Sequence, residues 1–181
     1  MEKLKKLNIE FQNYLDEISG SFTDDLTNIL NDENIRYLGD HSKADIKAFY
    51  FEYEYDYLNL VCWAVNASGE IIIAPMMLPE KNDGKNSEAD RWNAFIPEDI
   101  WNEAAEFCDS YEEEDADDLL DEYNDEKYTL FENWFFECWK KAAAATENKT
   151  DAYFSIHDTY FRTDLVTFET INDDDIAKRY R

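Results

Sequence analysis

The chain has 181 residues, 43 Asp and Glu against 17 Lys and Arg, and a formal net charge of -26. Hydrophobic residues make up 44% and aromatics 16%, too apolar for a disordered polyanion, so the composition describes a packed domain inside a charged shell. A chain of this length buries about 70% of its unfolded surface and requires no disulfide or metal staple. Such a charge disfavours direct nucleic-acid binding, because the only basic groupings, "KLKK" and "KRYR", lie at the two ends. No stretch approaches a membrane span.

The chain starts with Leu4, Leu7, Phe11, Tyr14, Leu15, Ile18 and Phe22 at spacings of three and four, the stripe of an amphipathic helix. Gly20 is expected to end it, and Thr23 to cap a short second helix carrying Leu26, Ile29 and Leu30. "GDHSKAD" reads as loop. In "KAFYFEYEYDYLNLVCWAV" Phe49, Phe51, Tyr53, Tyr55 and Tyr57 alternate with Glu52, Glu54 and Asp56, the strongest strand signal in the chain. After Tyr57 both faces become apolar, so either the chain turns near Asp56 or one long strand enters the sheet interior. "NASG" is a turn and "EIIIAP" the returning strand; "PEKNDGKNSEAD" is a polar loop.

"FIPEDIWNEAAEFCDSY" starts a helix, with Pro97 at the first position, Glu98 and Asp99 at the positive end of the dipole, and Ile100, Trp101, Ala104, Phe107, Cys108 and Tyr111 facing inward. From Glu98 to Glu126 there are fifteen acids and no Lys or Arg. The other 152 residues carry 28 acids and 17 bases, a net of -11. The run "YEEEDADDLLDEYNDE" should be a continuing or second helix lying on the surface, anchored by Leu119, Leu120 and Tyr123. "KYTLFENWFFECWKKAAAA" is a helix whose Phe131, Trp134, Phe135, Cys138, Trp139 and Ala142 should pack on the sheet. The end reads as two strands, "DAYFSIH" and "DLVTFETI", joined near Asp158 to Thr163. The order predicts an α+β fold: a mainly antiparallel sheet packed by an aromatic-rich helix, with N-terminal helices and an acidic surface helix. A single domain over 1–181 is expected, with the N-terminal helical segment 1–35 as a candidate peripheral part.

Catalytic motifs are sparse. There is no GxSxG and no phosphate loop, and 43 acids always contain carboxylate pairs, so such pairs carry no weight. Cys62, Cys108 and Cys138 form no CxxC, and with no apolar leader at the start the expectation is a reducing, cytoplasmic setting. His157, Asp158 and Asp164 are a metal-site candidate of one histidine and two carboxylates; the same residues serve turn chemistry between strands. The acidic run lacks the glycine of a calcium loop. No catalytic residue, cofactor or resident metal is assigned.

The run does match a polyanion in density. If wholly helical, residues 98–126 would span ~43 Å, one charge per ~2.9 Å, against about 3.4 Å per phosphate along a DNA strand. The expected contact set for a cationic partner is Glu112, Glu113, Glu114, Asp115, Asp117, Asp118, Asp121 and Glu122, with Glu52, Glu54 and Asp56 as a second array along a strand. Tyr111, Tyr123 and Tyr55 are the expected anchors. The alternatives are a solvated acidic face and a metal-dependent enzyme centred on His157.

The aromatic strand "AFYFEYEYDYLNLVCWAVN", the "RWN" before a helix, the helix "LFENWFFECWKKA" and the closing "AYFSIHDTYFRTDL" resemble, in their order along the chain, small acidic immunity proteins of bacterial polymorphic toxin systems. The resemblance implies an intracellular protein that binds and blocks a cognate toxin, often a nuclease, and inhibits by binding rather than by catalysis.

Overall fold

The computed structural model describes residues 2–79, 94–110 and 113–180, and of residues 113–117 the helical backbone alone. The six strands are β1 (Ala48–Tyr53), β2 (Leu60–Val65), β3 (Met76–Leu78), β4 (Asp151–Ile156), β5 (Phe161–Asp164) and β6 (Thr170–Asn172). They form one sheet in the order β3-β2-β1-β4-β5-β6. Every pairing is antiparallel except the central one, where β1 and β4 run parallel from Ala48 opposite Asp151 to Tyr53 opposite Ile156. A parallel pair needs a crossover. The chain between β3 and β4 supplies it with α2 (Glu98–Cys108) and α3 (Glu113–Thr146). The fold is α+β with a mainly antiparallel sheet.

The alternation in β1 sends Phe49, Phe51 and Tyr53 into the core, while Tyr50 and Glu52 face the other side. Of the two readings of the aromatic run, the chain turns. Glu54 N donates to Asn59 O, and Leu58 N to Glu54 O, both at 3.1 Å. β2, with neighbours on both edges, is apolar on both faces. The expected strand at "EIIIAP" is instead a pair of isolated bridges, Ile71 with Val65 and Ile73 with Tyr37. The segment before β1 captures this stretch: Leu38 N donates to Ile72 O at 2.9 Å and Ala74 N to Arg36 O at 2.8 Å. Regular pairing with β2 resumes only at β3. The expected polar loop lies, from Glu80 to Asp90, outside the described residues.

α1 (Glu2–Leu30) is one helix of 29 residues and runs through Gly20. The expected break does not occur, because the buried stripe continues into Phe22, Leu26, Ile29 and Leu30. Thr23 caps nothing; its hydroxyl donates to Ser19 O at 2.7 Å. The burial of Phe11, Leu15 and Leu26 makes α1 part of the core rather than peripheral. α1 and α3 run in the same direction, since Asn8 meets Tyr123 and Glu126 while Ser19 meets Trp134 and Cys138. α3 lays Phe131, Phe135 and Trp139 on the sheet. The Phe135 ring stacks on Phe154 at 4.2 Å, and Trp139 lies 5.4 Å from Phe51.

The C-terminal strands also differ from expectation. β5 begins at Phe161, inside the expected joint, and Asp164 closes a turn through "LVTF", its Oδ1 accepting from Val166 N at 2.8 Å. A further helix, α4 (Asp173–Arg179), follows β6. Asn172 caps it by accepting from Asp175 N at 2.9 Å, with three acids in its first turn and Lys178 and Arg179 in its last. Its Ile176 covers Ala48, Val65 and Tyr153 on the second face of the sheet.

Candidate functional site

The acidic segment is two helices. α2 ends at Cys108 and α3 begins at Glu113, so the single rod over 98–126 is not formed. Glu112 and Tyr111 lie outside the described residues, as do the side chains of Glu113, Glu114, Asp115 and Asp117. The described carboxylates Glu98, Asp99, Glu103, Glu106, Asp109, Asp118, Asp121, Glu122, Asp125 and Glu126 are all exposed. The basic "KLKK" of α1 meets two of them: Lys3 pairs with Glu103 at 3.5 Å and Lys5 with Glu122 at 3.3 Å. Glu126 accepts from Asn8 Nδ2 at 2.8 Å. Glu106, Asp118, Asp121 and Asp125 form no ion pair among the described residues.

Like charges four apart on a helix cost a few tenths of a kcal/mol each. Two features offset this in α3. Nine of its eleven acids fall between Glu113 and Glu126, toward the dipole's positive end, while Lys140 and Lys141 lie toward the other. The same helix then continues into the buried Phe131, Trp134, Phe135 and Cys138. The charged half is therefore an extension of a helix held by the core, and its backbone is not free to relax away from the repulsion.

The second acidic array is not built as expected. Glu52 is on β1, but Glu54 and Asp56 fall in the β1–β2 turn. Glu52 is committed to Arg162, which donates to it at 2.6 Å, to Asp173 at 2.7 Å and to Ser155 Oγ at 3.0 Å. Arg162 also lies over the Tyr50 ring at 5.1 Å. It latches α4 to the second face of the sheet, beside an open groove of about 440 Å³ floored by Tyr50 and Trp63.

Lys127 is the first base after the acidic run. It is buried, with 4% of its surface exposed. Its ammonium lies 4.9 Å from the Tyr128 ring centroid and 5.6 Å from that of Tyr123. No carboxylate pairs with it among the described residues. Burial lowers its pKa to about 8, against the opposing attraction of Asp56. Tyr128 is pushed up to about 12, first by burial and then by Asp56. Among the described residues the buried Tyr123 hydroxyl finds no partner. Of the expected anchors, Tyr123 is thus part of the interior and Tyr55 is exposed. The sequence contained a signal for Lys127: it stands four residues before Phe131, on the stripe that enters the core.

His157 closes β4. Its Nδ1 is 3.0 Å from Asp158 Oδ2, its ring meets Tyr55 edge-on at 4.5 Å, and its buried Nε2 has no partner among the described residues. Asp164 is not its neighbour. That carboxylate sits opposite Tyr153, four residues back along β4 or about 13 Å away, and pairs with Arg179 at 2.7 Å. Among the described residues no three His, Cys, Asp or Glu side chains form a group that could hold a metal ion. The three cysteines are free and buried, and burial pushes each thiol up, away from the thiolate a nucleophile needs. Among the described residues no helix is long and apolar enough to cross a membrane.

Comparison with protein families, with characterised proteins and with solved structures returns no match to this chain. The chemistry of the site itself therefore carries the functional reading.

Proposed function

We propose that this chain is an intracellular immunity protein or antitoxin that binds and blocks a cationic toxin, with the acidic surface of α2 and α3 meeting the toxin's basic site. The observation that carries this reading is the continuity of α3: the half bearing Asp118, Asp121, Glu122 and Asp125 is one helix with the half bearing Trp134, Phe135 and Trp139. Carboxylates on a helix anchored in the core are pre-positioned, so a partner's Lys and Arg meet them at little ordering cost. A basic nuclease groove, shaped for phosphates, is the kind of site such a surface fits. Free, buried thiols suit a reducing compartment.

The test is protection. On this reading a cationic toxin domain is encoded beside this chain's gene, and cells producing it should survive when the chain is co-produced. Replacing Glu106 by Gln and Asp118, Asp121 and Asp125 by Asn should slow association with that domain by ~10-fold or more at low salt and flatten its salt dependence. Unprotected cells, or equal rates and salt slopes for both proteins, would overturn the reading.

A further inference from the structure

We infer that the toxin seats on an aromatic rim at one end of the sheet, anchored by Tyr55, Tyr57, Tyr160 and Phe161, while the acidic helices beside it supply attraction; this rests on the binding function proposed above.

The parallel pairing of β1 and β4 builds the rim. Both strands end at the same edge, Tyr53 opposite Ile156, so the β1–β2 and β4–β5 turns emerge side by side. His157 N, the first residue of the second turn, donates to Tyr53 O at 2.9 Å. The Tyr55 ring then rests on the His157 ring at 4.5 Å. β5 returns antiparallel to β4 with Thr163 opposite Phe154, which places Phe161 opposite Ile156 and Tyr160 beside the turn. The Tyr160 and Phe161 rings are 5.3 Å apart, and Tyr57 reaches across to Trp101 of α2 at 5.4 Å. Phe161 is 57% exposed, Tyr160 47%, Tyr55 42% and Tyr57 38%.

Single exposed apolar residues are ordinary, but four part-exposed aromatic rings on two adjoining turns and the start of β5, Tyr160 held by its hydroxyl to Asp174 at 2.8 Å, place apolar surface at one sheet end of the kind that marks an interaction site. Its border fits one sort of partner. Asp56 and Asp158 stand exposed in the two turns, and α3 brings Asp121 and Asp125 to the same side, around Tyr128. Lys127, the base of this corner among the described residues, is buried. An apolar centre ringed by carboxylates is complementary to a surface of arginines, whose planar guanidinium stacks on tyrosine faces and pairs with carboxylates at once. In such an interface the aromatic centre sets the dissociation rate and the acidic border the association rate.

The probe is a short arginine-rich peptide, with a twin carrying citrulline, which keeps the shape and loses the charge. Titrating the unmutated protein with the arginine peptide should shift the ring resonances of Tyr55, His157 and Tyr160; the citrulline twin should not. The double variant Tyr55→Ala, Tyr160→Ala should bind roughly 30-fold more weakly through faster dissociation. Asp121→Asn with Asp125→Asn should instead slow association. The resonance shifts carry the test if the aromatic variant unfolds. Shifts confined to α2 and α3, or a folded aromatic variant that binds like wild type, would overturn the rim. So would self-association that the aromatic variant abolishes, which would assign the patch to a second copy of this chain. Failed protection with rim binding intact would remove the immunity reading and leave the arginine site; protection with an indifferent rim variant would do the reverse.

Discussion

Replacing Lys127 by methionine should stabilise the protein, and should do so in a pH-dependent way. The lysine is buried between Tyr123 and Tyr128, and its pKa falls from 10.5 to about 8. At 1.36 kcal/mol per pKa unit, holding the amine charged in the fold costs about 3 kcal/mol. The sign follows from proton counting. Between about pH 8 and the unfolded value near 10.5, the unfolded chain holds this proton more firmly than the folded one. Stability therefore rises with pH across that window. Below it both states are charged and the full cost is present; above it both are neutral and the cost is gone. Methionine keeps the apolar stem and adds no charge. The lost ring contacts subtract roughly 0.5–1 kcal/mol each. The expected gain is about 1–3 kcal/mol at about pH 7, shrinking toward zero or below by about pH 10. Urea unfolding of both proteins across that range measures it. Their difference isolates Lys127, because the buried thiols and tyrosines titrate in both proteins and have the opposite sign: their raised pKa values make stability fall with rising pH. A variant less stable than wild type at neutral pH, or a gain that does not change with pH, would refute the argument.

Gly20→Ala should stabilise by about 0.5–1 kcal/mol, because Gly20 lies mid-helix and an added Cβ meets nothing within 4 Å; a loss in chemical denaturation would mean that the helix needs a bend there. Trp139→Ala should cost ~3–5 kcal/mol, since it removes a ring packed on Phe51 and a hydrogen bond to Leu165 O at 3.1 Å; a change below about 1 kcal/mol would contradict the packing. Thiol reagents should label the native protein slowly and all three cysteines on unfolding; rapid labelling of native Cys62 or Cys138 would show that the core opens.

Local signals carried much of this fold. Alternation over Phe49–Tyr53 is legible as a strand because a period of two matches a half-buried strand and no helix, and the stripe Phe131–Trp139 is legible as a core helix for the equivalent reason at a period of 3.6. The acidic surface was legible too, since carboxylates in such number cannot be buried. Several local signals instead lost to packing. Gly20 weakens a helix by about 1 kcal/mol, less than the burial of Phe22 and Leu26 returns, so α1 continues. "EIIIAP" has the right residues for a strand, but the 36–38 segment competes for its hydrogen bonds. The helix α4 carries its cap and its charges in the sequence, at Asn172, Asp173–Asp175 and Lys178–Arg179, but it is too short to show a periodic stripe. What no sequence pattern contained was the pairing of β1 with β4, strands nearly a hundred residues apart. That pairing joins the two turns, sets Tyr55 against His157, and turns aromatics scattered along the chain into one rim. Periodicity reports only which way each side chain faces on its own element; proximity between distant elements is decided when their faces compete for one core.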